Sequence, residues 1–177
     1  EYDKTYGNRS FFLDAELKAG NGKLTYRSSN PEIVAVNRSG KVSIKNTGIA
    51  TITVKAGKTA RYNTASIKIK VKVCPQRTKL LTARVMGRKK IKISWVLDKH
   101  ATGYKIQYST DSKFKNKNAT NVVAVKNNRT TSVTIGQELQ KGERYYVRIR
   151  SYKETETEKD IYKLYSAWSK TKTVVCR

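Results

Sequence analysis

The 177-residue sequence holds one histidine, two cysteines, two prolines and only 13 acidic residues. His100 lies alone in the polar stretch Asp98–Gly103. No His/Cys cluster with metal-ligand spacing occurs, and neither a nucleophile elbow nor a phosphate loop is present. No catalytic residue, metal site or cofactor is therefore expected, and the chain reads as a non-enzyme. Nor is there a run of about 18 apolar residues, so no transmembrane segment is expected here, and no leader peptide is recognisable. The chain begins with Glu rather than Met, as a fragment or processed product would, and any membrane attachment is expected outside it. Cys74 and Cys176 end similar segments, VKVC and TVVC. Each is expected to close the last strand of a domain, with the two ends about one domain length apart. A disulfide requires Cα atoms within about 7 Å, so no bridge between them is expected.

What the sequence has in excess is positive charge: 38 basic residues, for a net charge of +25. Residues 1–73 hold 14 basic and 5 acidic residues, and the remainder 24 and 8. A field of this sign attracts polyanions in a salt-dependent way. Lysines alternating with Ile and Val are also simply the solvated faces of strands. Hydrophobic residues make up 37%, below the ~45–50% usual for globular domains but enough for thin two-layer sandwiches.

The pattern is period-2 alternation, the signature of half-buried strands. Ile91, Ile93 and Trp95 share one parity, as do Tyr104, Ile106 and Tyr108, with polar Asp98–Gly103 connecting the two runs. Ala50, Ile52 and Val54 form the clearest alternation of the first half. Ile67, Ile69, Val71 and Val73 close it, with Lys68, Lys70 and Lys72 on the other face. Turn signals fall between the runs at Asn21-Gly22, Ser28–Pro31, Asn37–Gly40 and Asn46–Gly48. Gly40 and Gly48 sit where a turn requires positive φ. Short strands at regular spacing indicate an all-β sandwich class, with essentially no helix.

The segment from Tyr26 to Ala56 carries Ser28-Ser29-Asn30-Pro31, Val34-Ala35-Val36, Gly40-Lys41-Val42 and Gly48-Ile49-Ala50-Thr51-Ile52. It resembles the bacterial immunoglobulin-like domain, group 2, over nearly all of residues 5–73, with a first strand that reads as shortened. Residues 80–177 resemble a fibronectin type III domain. Trp95 takes the place of its second-strand tryptophan, Tyr104 that of its third-strand aromatic, and Leu139–Tyr145 its leucine–turn–tyrosine corner. The resemblance implies two tandem immunoglobulin-like β-sandwiches, at 1–73 and 80–177, with a short link at 74–79 containing Pro75. It implies a hydrogen bond from the Tyr145 hydroxyl to nearby backbone. It also implies an extracellular location, on the cell surface or secreted.

In the second half, Tyr145, Val147 and Ile149 are expected to face the core, and Tyr146, Arg148, Arg150 and Tyr152 to face out. Trp168, in a Ser-Ala-Trp-Ser segment similar to the tryptophan-serine box of cytokine-receptor fibronectin domains, can lie across Arg148 and Arg150. Such a stack is either structural or a ligand surface. With Lys105, Lys170 and Lys172 added, the same sheet offers a candidate surface for an anionic cell-wall polymer, a host glycan or a protein. Sequence-specific nucleic-acid binding is not expected, for lack of a basic helix, zinc signature or single-strand-binding aromatic motif. The acidic stretch Lys153–Asp160, with Glu154, Glu156, Glu158 and Asp160, lacks calcium-loop order and reads as local charge balance. The leading expectation is a monomeric spacer or adhesion module of a bacterial surface or secreted protein. Alternatives are an anionic-polymer binder and an accessory appendage of a secreted hydrolase.

Overall fold

The computed structural model describes residues 1–87, 89–136, 139–156 and 160–176. Among the described residues every regular element is a β-strand. By internal contacts the chain divides into two units, Glu1–Cys74 with Thr155–Leu164, and Pro75–Glu154 with Tyr165–Arg177.

The first unit holds β1 (Tyr2–Thr5), β2 (Phe11–Phe12), β3 (Leu24–Ser28), β4 (Val34–Val36), β5 (Lys41–Ile44), β6 (Gly48–Ala56) and β7 (Ala65–Cys74). They form two sheets, ordered β1-β7-β6-β3 and β2-β5-β4. Strand alternation sends Ala50, Ile52 and Val54 of β6 and Val71 and Val73 of β7 inward, where they meet Val34 and Val42. Gly48 has a φ of 139°, and a Cβ there would stand 2.6 Å from the Ile33 Cδ1, so both backbone and space demand glycine. Two expectations are displaced. The bend in the Ala19–Leu24 connection falls at residues 18–20, with Gly20 at positive φ beside the Tyr62 ring, rather than at Asn21-Gly22. Ile67 keeps the parity of Val71 but is 54% exposed, and it lies outside the Val71–Cys74 stretch that pairs with β1.

The second unit holds β8 (Leu80–Val85), β9 (Ile91–Trp95), β10 (Gly103–Ser109), β11 (Thr120–Val125), β12 (Ser132–Ile135) and most of β13 (Arg144–Glu156). β14 (Ile161–Tyr165) and β15 (Lys172–Val175) both flank β13. One sheet is β12-β9-β8; the other runs β11-β10-β13. Their inner faces supply Ile91, Ile93, Trp95, Tyr104, Ile106, Tyr145, Val147 and Ile149 to one core. The Trp95 and Tyr104 rings pack tilted, with centroids 5.2 Å apart, a favourable aromatic arrangement. The Tyr104 hydroxyl receives the Asp98 N–H and donates to the Asn128 carbonyl, tying two connections to one core ring. At the tyrosine corner the Gln140 N–H donates to the Tyr145 hydroxyl at 2.9 Å, so the phenol acts as acceptor. Cys74 and Cys176 are both free thiols.

Tyr152 departs from its expected outward position and is 5% exposed. Gly103 lies directly opposite it on β10, and a Cβ on Gly103 would stand 2.8 Å from the Tyr152 hydroxyl. The missing side chain lets the phenol lie down across the strand.

Candidate functional site

β13 and β10 run antiparallel with Lys105 opposite Arg150 and Gln107 opposite Arg148. Directly opposed residues project to the same side of a sheet, so these four share the outer face. Tyr146, two residues before Arg148, shares it too. Two long cations side by side repel and need something between them. Trp168 fills that position: its ring lies 4.4 Å from both guanidinium carbons. The stack extends further in each direction. Arg150 also lies 3.9 Å from the Tyr165 ring, and Arg148 lies 4.0 Å from the Phe114 ring. The layers thus alternate Tyr165, Arg150, Trp168, Arg148, Phe114. Lys105 approaches the outer end, with its Nζ 5.8 Å from the Tyr165 ring.

Two serines set the tryptophan in place. Between β14 and β15 the chain has no ladder of its own, so nearby backbone donors need partners. The Ser166 Oγ accepts the Ser151 N–H, and the Ser169 Oγ accepts the Ile149 N–H. Both serine N–H groups donate back, to the carbonyls of Ser151 and Ile149. Trp168 between them is thereby held facing the arginine row.

Phe114 is placed by a different device. The Asp111 carboxylate accepts the N–H groups of Lys113, Lys115 and Asn116, curling the loop after β10 so that Phe114 adopts a φ of 57°. These backbone donors hold the Asp111 carboxyl below its ordinary range. A lowered folded pKa contributes stability that is present above the unfolded value, near 3.9, and is lost as pH falls through the folded value. Below about pH 4 the Phe114 ring resonances are therefore expected to move toward random-coil positions. Asp111→Ala should place them there at every pH. Ring shifts in the wild type that stay constant down to full protonation would refute this account.

The arginines are half-buried, and desolvation draws both of their pKa values down. The Arg148 Nε donates to Gln107 Oε1 at 2.8 Å. The Arg150 Nε is buried with no hydrogen-bond partner among the described residues. Among the described residues no carboxylate pairs with either guanidinium, so rings take the place of counterions and leave the charge uncancelled.

The seven residues singled out from sequence divide as follows. Arg148, Arg150 and Trp168 form the stack, Lys105 adjoins its end, and Tyr146 lies on the same face. Lys172 does not. It is paired with Val147 on β15, on the parity of the inner face, and Thr173 takes the place opposite Tyr146. Lys170 is exposed and precedes β15. Sequence reasoning missed Phe114, which belongs to an irregular loop. It also missed Tyr165 as a stacking ring, although its position two residues beyond Lys163 in an aromatic-rich strand was visible. In the acidic stretch, Glu158 lies outside the described residues. Glu156 and Asp160 line a polar groove of the first unit with Arg27, Lys68 and Lys70. No group of His, Cys, Asp and Glu able to hold a metal occurs among the described residues.

Comparison with known proteins gives two family matches. The immunoglobulin-like domain of intimin matches residues 15–58, and the fibronectin type III domain matches residues 75–162. No curated protein matches the chain. The crystal structure of chicken CNTN1 FN1-FN3 domains aligns with 99% of this chain and 62% of that chain, at 18% identity and a TM-score of 0.47. A chain of a cytokine receptor complex aligns over 89% of this chain and 88% of its own, at 12% identity and a TM-score of 0.53. At that identity the likeness concerns the fold alone.

Proposed function

Because the chain is an intimin-type immunoglobulin-like domain followed by a fibronectin type III domain, we propose that it is a non-catalytic extracellular module of a bacterial surface or secreted protein. Residues 1–73 and 80–177 are its two modules, and it serves as a spacer that also presents an adhesive face. Both domain types are typical of extracellular or surface proteins, and both serve ordinarily in adhesion or spacing rather than catalysis. The observation that supports it most is the pairing of the two matched modules, each with a separate hydrophobic core. Antibodies raised against the chain should label intact, unpermeabilised cells of the source organism, or its culture medium. Labelling only after permeabilisation would overturn the location.

A second reading is favoured by one feature, the arginine stack with no carboxylate partner among the described residues. That face would bind an anionic polymer, such as a teichoic acid or a sulfated glycan. Charge-driven binding of this kind weakens linearly in log–log dependence on salt and is indifferent to monomer sequence. Lys105→Glu with Lys170→Glu is the probe, since it spares the stack itself. Titration with heparin should show a salt slope smaller by about two in the double variant, one for each lost cation. An equal slope, or binding only at very low salt, leaves the spacer reading alone.

A further inference from the structure

Two strands of the second unit end their sheets on the same side. β11 is the last strand of β11-β10-β13, and β12 the last of β12-β9-β8. At the opposite side β15 lies against β8. Among the described residues no strand pairs with the free edge of β11. The flanking residues 110–119 and 126–131 are turns and connections that add no strand to it. Val123 and Val125 of β11 and Val133 of β12 pack against the core but stay only partly buried. On the outer face Val122 is 51% exposed, and Ala124 is exposed too.

An unpaired edge offers backbone donors and acceptors to any strand that can add to it, and proteins blunt such edges with charge, proline or a bulge. β8, of equal length, carries Arg84 and a register shift between Leu80 and Thr82, and β3 carries Arg27. β11, Thr-Asn-Val-Val-Ala-Val, carries none of these. Charge stands only at its ends. Thr120 donates its N–H to the Lys117 carbonyl, and Lys126 follows Val125 directly. Lys115 and Arg129 stand a little further out. All four cations are exposed, and none pairs with a carboxylate among the described residues. The nearby Asp111 carboxylate is turned to backbone N–H groups. On β10 the residues facing outward beside this edge are Lys105, Gln107 and Ser109, opposite Ala124, Val122 and Thr120. The edge is thus neutral for about 20 Å between cations at both ends.

We propose that the free edge of β11 accepts an extended segment of a partner protein with a neutral, alternately apolar centre and carboxylates at its ends. Side chains of the added strand alternate as those of β11 do. Those opposite Val123 and Val125 fall over the open side of the core, and the terminal carboxylates meet Lys117 and Lys126. Main-chain bonds supply affinity in such additions, and the places for alternate side chains supply specificity. A second copy of this chain is a poor occupant, because it brings the same lysines and a net charge of +25 to the edge. The inference is independent of the polyanion reading, since a polymer without peptide groups reaches the lysines but not the backbone.

The test titrates the intact chain with acetyl-Glu-Glu-Thr-Val-Thr-Val-Thr-Glu-Glu-amide while following amide hydrogen exchange. A control peptide has the same side chains and charge but is N-methylated at its five central residues. The unmethylated peptide should bind at least about tenfold more tightly, since only it can donate main-chain bonds. Its binding should slow exchange at alternate amides of β11, the others being already bonded to β10, whereas heparin should leave them unchanged. Lys117→Glu with Lys126→Glu should weaken the peptide roughly threefold to thirtyfold, as expected for two exposed ion pairs, with circular dichroism unaltered. The same variant should bind more tightly a peptide in which lysines replace the glutamates. Equal binding of the methylated control, protection of β12 in place of β11, or full affinity in the double variant would each overturn the proposal. So would dimerisation of the free chain that protects β11, which would assign the edge to self-pairing.

Discussion

Trp168→Ala is expected to cost the second unit about 2–3 kcal/mol. The indole contacts two guanidinium groups, and each such contact contributes about 0.5–1 kcal/mol when exposed and about 2 when desolvated. Both arginines are half-buried and, among the described residues, lack carboxylate partners, so the upper part of the range applies. Losing the ring also brings two like charges together across an empty layer. For a domain of this size the loss corresponds to a fall in melting temperature of roughly 8–20 °C. Trp168→Phe keeps a ring face in the layer and should lose less. The attribution to stacking is checked by a double-mutant cycle with Arg150→Ala, where the two losses should fall short of additivity by at least about 0.5 kcal/mol. Strict additivity, or a cost for Trp168→Ala below about 0.5 kcal/mol, within the range of ordinary surface substitutions, would mean the rings merely lie near the arginines.

Trp95→Ala should do more harm, about 3–5 kcal/mol, the usual range for a buried large aromatic. Trp95 is 2% exposed and sits where β9 meets Tyr104 and Leu80. Domains are stable by only about 5–15 kcal/mol, so the second unit is expected to unfold well below its normal melting temperature. The first unit has a separate core, and its transition should remain in place. Calorimetry should therefore show one transition moved and one retained. A parallel shift of both would mean that the two cores unfold as one cooperative body.

What was legible in the sequence follows from the period of a strand. Alternation fixes which face a residue takes, so Trp95, Tyr104 and Tyr145 inside and Arg148 and Arg150 outside were readable from parity alone. Parity does not report what lies opposite. Tyr152 has outward parity but is buried, because Gly103 across the ladder has no side chain to hold it off. Ile67 has inward parity but is exposed, on the part of β7 outside its pairing with β1. Lys172 falls on the inner parity, because the serine-held Ser166–Ser169 segment between β14 and β15 lets the strand phase reset. Phe114 belongs to a loop shaped by one carboxylate and a positive φ, where no periodic signal exists. The candidate site was therefore half visible, its strand-borne residues readable and its loop-borne ring hidden.

The alternating stack has a consequence for how this surface can change. Where arginines are ordered by carboxylates, order and neutrality arrive together, and a more rigid face is a less charged one. Here rings impose the order, and the full cationic charge survives. Rigidity and electrostatic potential become separately adjustable: substituting a ring alters stiffness at constant charge, while substituting a flanking lysine alters charge at constant stiffness. Variants of the two kinds can therefore tune how firmly the face is held and how strongly it attracts, one without the other.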